Sequence, residues 1–288
     1  MRAGPLSTSD VIDILNRYFV PVVSSNYETD PGGPAPAAEK AERKRIYLDF
    51  DAKKLGIGDV HVYILRPDLS SMCGLDIGSA TAEGKLAAFL DTVRQQLRTP
   101  AGPPAFPPRT WSGAPPAPGD SMVFHLVARG ERRGSWREFP SENWIVLSRA
   151  EWNAFLPPSP RVAVHDSWPV PRAVSDKLLT WFYPQTEEAS QEPRSRIDQG
   201  DLRMTVTTFK EGVARALIDG SLKLSHSFYP GKPHEDLVNA QLVGFMDFVP
   251  GEGRIQRLRL ITQKATYINE QFGVALRSVS QQTLEAQR

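Results

Sequence analysis

Read for apolar and polar positions, the first part of the chain switches repeatedly between helical and strand periods. Val11, Leu15 and Tyr18 recur at helical spacing with Ile12 and Phe19 beside them, which predicts a helix with one apolar face. Ser7, Thr8 and Ser9 are candidate N-caps, and Asp10 and Asp13 sit where the helix dipole favours negative charge. FVPVVSSNYE (19–28) is β-branched and ends in polar residues, so it predicts a short buried strand. After a Pro-Gly loop, AAEKAERKRIYLDFDAKKL (37–55) reads as a charged, exposed helix. VHVYIL and MCGLDI, joined through Arg66-Pro67-Asp68, predict a β-hairpin. Leu86, Phe89, Leu90, Val93 and Leu97 then form the apolar stripe of a final helix ending near Arg98.

Beyond Asp120 the period of two dominates. MVFHLVARG is a strand that turns at Gly130–Gly134 into SWREF, and Ser148 caps a short helix with Trp152 and Phe155 inward. VAVHDSW is extended. VPRAVSDKLLTWFYP predicts a helix burying Val174, Leu178, Trp181 and Phe182 and stopping at Tyr183, because Pro184 disfavours helical backbone before it. QTEEASQEPRSRIDQG (185–200) reads as a polar loop. LRMTVTTF, VARALIDGSLKLSHSF, NAQLVGFMDFV, GRIQRLRLITQKATY and GVALRSVS follow as strands, with turns at Lys210-Glu211-Gly212 and Pro250-Gly251-Glu252-Gly253. In the fourth of these, Ile255, Arg257, Arg259 and Ile261 alternate with Gln256, Leu258 and Leu260, the mark of a sheet with a buried and a wetter face. The series predicts an antiparallel meander, a half-barrel wrapped on the 171–183 helix.

Between the two patterned parts, residues 99–120 hold eight of the 25 prolines, a semi-rigid spacer in which Phe106 and Trp111 could lie down on a neighbour. The expected organisation is therefore a domain at 1–98, a linker at 99–120 and a second domain at 121–288, of α+β class overall. Lys+Arg 34 against Asp+Glu 33 gives no global electrostatic argument for nucleic acid, and no apolar run is long enough for a membrane span. The single cysteine, Cys73, excludes an intramolecular disulfide and a thiolate metal cluster. No signal-peptide pattern opens the chain, which makes the cytoplasm the default expectation; a processed or truncated start would leave export open.

Helix, strand, helix, hairpin, helix in residues 1–98 resembles a shortened thioredoxin-like domain that has lost its first strands. Where that family carries its Cys-Gly-Pro-Cys redox loop, this chain has Ala3-Gly4-Pro5-Leu6, and no proline stands in Gly58-Asp59-Val60-His61 where the family has a cis-proline. The resemblance implies a domain without redox chemistry and a sheet with an unpaired edge, a ready partner for another strand. The second part is similar to uncharacterised bacterial β-rich domains joined to thioredoxin-like ones, and that likeness implies no activity.

Candidate chemistry is sparse. His165-Asp166 and His234-Glu235-Asp236 bring ligand types together without chelating spacing, there is no nucleophile elbow and no phosphate-cradling loop, and no cofactor is expected. The polar group that stands out is Tyr183, Gln185, Thr186, Glu187 and Arg196, with His226 joining if the sheet folds back. Cys73 is the one candidate redox thiol and would need nearby cations to lower its pKa. The first expectation is a non-catalytic binding or assembly protein, taking a protein partner or a second copy through the shortened sheet edge or the Pro-rich spacer. The alternatives are an enzyme or small-molecule carrier with His226, Tyr183 and Glu187 lining a pocket, and a one-cysteine redox protein.

Overall fold

The structure, a computed structural model, describes residues 5–24, 29, 31–58, 60–82, 84–103, 115, 117–132, 134–136, 140–184, 195–227 and 236–279. It divides into two compact units, Met1–Arg109 and Thr110–Arg288, the division falling inside the Pro-rich stretch. The described residues form an α+β protein with few helices and one large antiparallel sheet.

The first unit contains α1 (Ser9–Tyr18), α2 (Ala37–Ala52), β1 (His61–Leu65), β2 (Ser71–Asp76), the single-turn α3 (Ile77–Ala80) and α4 (Lys85–Leu97). Its core is small: Val11 from α1, Ile64 from β1, and Leu86, Leu90 and Val93 from the apolar stripe of α4. Arg94 of α4 also lies over the Tyr18 ring at 4.8 Å, fastening the two helices at their ends. The exposed helix α2 is held at its C-terminal end. There Phe50 is fully buried edge-on to Tyr63, and Asp49 accepts from Lys53 and from Ser71, which hold its carboxyl down at about 2.

The predicted strand at 19–28 is not one. Residues 19–24 lie outside any strand, and Val20, Val22 and Val23 are 90%, 83% and 86% exposed, while 25–28 lie outside the described residues. A β-branched run becomes a strand only when a neighbour takes its backbone groups. Among the described residues, the sheet of this unit has just β1 and β2. The start of the spacer does lie back on the unit, since the Gly102 N–H donates to the Arg17 carbonyl at 3.1 Å. Phe106 and Trp111 lie outside the described residues.

His61 at the start of β1 has a specific environment. Glycines 56, 58 and 74 surround its ring, so closely that a Cβ on Gly74 would stand 2.4 Å from Nε2. Neither ring nitrogen has a hydrogen-bond partner, and burial pushes its pKa below the ordinary value against the weaker pull of Asp76. The unfolded chain therefore takes up a proton near pH 6.5 that the folded unit resists, so stability is lost as pH falls through that value. Hydrogen exchange at β1 and β2 should accelerate between pH 7.5 and 5.5, after correction for intrinsic rates. His61→Phe, which keeps a ring against Tyr63, should flatten that response; an unchanged pH dependence in the variant would remove His61 as its cause.

The second unit is built on β3 (Met122–Arg132), β4 (Ser135–Trp136), β5 (Ser141–Leu147), β6 (Ser167–Pro169), β7 (Ser195–Lys210), β8 (Val213–His226), β9 (Asp236–Val249), β10 (Arg254–Tyr267) and β11 (Glu270–Val279). The sheet has the order β4-β3-β11-β10-β9-β8-β7-β6, and β5 continues along the β3 edge that β4 begins. From β7 to β11 each strand pairs with the next, as the meander reading requires. The β7–β8 turn needs two residues in left-handed conformation, and Glu211 and Gly212 supply them with φ of 51° and 80°.

One face of this sheet is packed. Leu202, Met204 and Val206 of β7, Ile218, Leu222 and Leu224 of β8, and their counterparts across to β3 meet α5 (Arg149–Asn153), α6 (Arg172–Leu179) and Trp168. Lys177 of α6 reaches Glu151 of α5 at 2.7 Å, and this bond together with the Ser148 N–H at the helix cap holds the Glu151 carboxyl down at about 2. Helix α6 stops four residues before the expected Tyr183. The N–H groups of Trp181 and Phe182 reach back only three residues, a tighter turn that lets both Phe182 and Tyr183 enter the core. Gly200, Gly220 and Gly244 stand on successive strands, each offset by two residues in register. Such a diagonal of glycines lets backbones close on one another and a sheet coil.

Candidate functional site

At one end of the large sheet, the turn after α6, the start of β7 and the end of β8 converge. The Tyr183 ring stacks on the His226 imidazole at 4.3 Å between centroids, and His226 Nδ1 lies 3.0 Å from Ser195 Oγ. Register explains the second contact, because Ser195 pairs with His226 across β7 and β8. Sequence placed Ser195 in a loop, since the polar run 185–200 shows no apolar alternation; the strand in fact begins five residues before Gly200. Of the sequence-nominated group, the structure thus brings Tyr183 and His226 together. Arg196 is exposed and pairs with Asp198 at 2.8 Å, and Asp198 also accepts from Ser225 Oγ. Gln185, Thr186 and Glu187 lie outside the described residues.

A serine hydroxyl against an imidazole is the pairing that a nucleophilic serine uses. Access argues the other way: Tyr183 is 1% and His226 4% exposed, and one face of the imidazole is covered by the tyrosine ring. Neither the hollow by Leu75, Asp76 and Phe89 nor the one by Arg172, Asp201 and Gln263 is lined by Tyr183, Ser195 or His226. The arrangement closes the sheet end onto the end of the helix.

The opposite face of the same sheet has a different character. Strand register aligns Leu217, Phe245, Arg259, Arg277, His125 and Trp144 in one row across β8, β9, β10, β11, β3 and β5. Arg259 and Arg277 are therefore directly opposite one another, both exposed, with Arg257 two residues along on the same face. Arg215 and Arg259 approach the Phe245 ring at 4.9 and 5.8 Å, and His125 stacks on Trp144 at 4.4 Å. Of the acids on this face, Asp247, opposite Arg257, takes Arg215 bidentately at 2.6 and 3.0 Å, Glu142 takes His125 at 3.0 Å, and Asp219 stands exposed opposite Val243. A parallel row of Val243, Ile261, Ala275 and Val127 lies beside the cations, with Leu217 and Ile261 40% and 44% exposed. Neither a family model, nor a curated protein, nor a solved structure matches the chain. The face must be read from its own chemistry.

Sequence reasoning missed this surface because only strand register sets its cations against one another, and overall charge near neutrality hides them. Only the RLRL alternation of β10 hinted at it, and there the phase was misread. A bulge between Ile255 and Arg257 turns Ile255 to the packed face with Leu258 and Leu260, leaving Arg257, Arg259 and Ile261 outside.

Cys73 stands on β2, half-buried against the first core. Burial pushes its thiol pKa up and Arg66 opposes this only partly, the reverse of what an activated thiol requires. His165 and Asp166 shape a turn, the His165 N–H donating to Val206 and the Asp166 carboxylate accepting from the Ala163 N–H. No group of three or more metal-ligating side chains occurs among the described residues, and no described helix is long and apolar enough to cross a membrane.

Proposed function

We propose that the chain is a non-catalytic binding or assembly protein whose working surface is the uncovered face of the large sheet. In this reading the first unit is a shortened thioredoxin-like domain without redox cysteines, and the second a half-barrel that presents its outer face to a protein partner. The observation that carries the reading is Arg259 facing Arg277. Like charges directly opposed on a sheet cost stability, and neither arginine forms an ion pair among the described residues, the nearby Asp247 being held by Arg215, so the pair serves something other than the fold of the isolated chain. Exposed Leu217 and Ile261 beside them add an apolar patch of the kind that partners cover.

The second reading, an enzyme or carrier built on the β-rich domain, draws on the Ser195–His226 contact alone. Arginine footprinting separates the two. With phenylglyoxal, Arg257, Arg259 and Arg277 should be modified readily in the purified chain and protected in a fresh extract of the cells that make it. Equal modification in both would leave the face without a partner and overturn the proposal.

A further inference from the structure

We infer that the partner segment is an amphipathic helix with an acidic flank, its apolar stripe on the aliphatic row and its carboxylates on the arginine row. This deepens the open-face reading and rests on it. Charge sets the sign of the flank. Arg259 and Arg277 have no carboxylate in ion-pairing contact among the described residues, the Asp247 opposite Arg257 is already held by Arg215, and the Arg259 guanidinium lies over the Phe245 ring. A guanidinium held by an aromatic ring presents a fixed fork of donors that matches a carboxylate in bidentate geometry.

Spacing favours a helix. Val243, Ile261, Ala275 and Val127 stand on four neighbouring strands, a run of about 14 Å at the usual strand separation. That is the length of about ten helical residues, or three turns, lying across the strands. The arginine row is two residues further along each strand, about 7 Å away, within the width of one helix. An apolar stripe bordered on one side by Asp or Glu fits both rows at once.

The aliphatic row also decides between macromolecules. A single-stranded nucleic acid would meet valine and isoleucine where it needs bare aromatic faces, and the Phe245 ring is already flanked by Arg215 and Arg259.

The test is selection from a display library of helical peptides of about 18 residues, five turns, on the full-length chain. Counter-selection uses the Arg259→Glu, Arg277→Glu double variant, first shown to keep the wild-type circular dichroism. Recovered peptides should carry Leu, Ile or Phe at i, i+3, i+4 and i+7 with Asp or Glu along one flank. Their affinity should fall roughly tenfold or more in the Arg259→Ala, Arg277→Ala variant, and should weaken with salt and in Ile261→Ser. Recovery of neutral or basic peptides, or of peptides that bind the charge-reversed chain equally well, overturns the helix chemistry. Binding of phosphatidylserine vesicles or single-stranded DNA through the same arginines, with no peptide recovered, overturns the partner class. In these outcomes the open face stands if the extract footprint shows protection, and falls with it if it does not.

Discussion

Gly244→Val should strip the second unit of much or all of its stability. A Cβ on Gly244 would stand 2.1 Å from the Arg259 carbonyl oxygen and 3.0 Å from the Leu260 Cα. Both are backbone atoms of the neighbouring central strand, so no side chain can swing away to make room. Overpacking a well-filled site costs about 1–3 kcal/mol, and a clash with backbone in the middle of a ladder exceeds that, roughly 4 kcal/mol or more. A domain stable by roughly 5–15 kcal/mol loses much or all of its margin. A Cβ on Gly220 would stand 2.0 Å from the Asp201 carbonyl oxygen, so Gly220→Val should behave alike. Gly251, in the β9–β10 turn with nothing within 4 Å, accepts alanine and serves as the control. The five described tryptophans, Trp136, Trp144, Trp152, Trp168 and Trp181, all belong to the second unit, so their fluorescence follows its unfolding. A Gly244→Val chain that melts cooperatively near the wild-type temperature would show that these strands are not so closely apposed.

Arg277→Glu has the opposite sign for the fold and the largest expected effect on binding. It places a carboxylate directly across from Arg259 and near Arg257, turning a repulsive cross-strand pair into an attractive one. On an exposed sheet face this change is worth about 0.5–1 kcal/mol, about 1–4 °C in melting temperature for a unit of this size. The same substitution removes one donor fork and sets a negative charge amid the cations, so an acidic partner is repelled. Stability gained with binding lost is the signature of a surface that serves a partner at the expense of the isolated fold.

How far the sequence carried depended on whether a feature is local. The meander was legible because β7 to β11 are sequential neighbours joined by short turns, and Glu211-Gly212 announces its own backbone conformation. The α4 stripe was legible because Leu86, Leu90 and Val93 repeat at helical spacing. FVPVV was misread because its composition states a preference that only a neighbouring strand can satisfy. The meeting of Tyr183 with His226 was anticipated as a consequence of the sheet folding back, but Ser195 was not, since strand register rather than pattern places it there. The arginine row lay furthest from view. Arg259 and Arg277 are 18 positions apart, and only the β10–β11 pairing sets one against the other.

The most direct measurement compares wild type and Arg277→Glu, each produced untagged in its own cells, by thermal melting and by native mass of the gently isolated protein. The open-face account predicts a wild-type complex of fixed stoichiometry with a second protein. It predicts a variant that melts higher and runs at the mass of the single chain. A variant that keeps the complex, or a wild type that carries only a small molecule or metal, would contradict the account and return attention to Tyr183, Ser195 and His226.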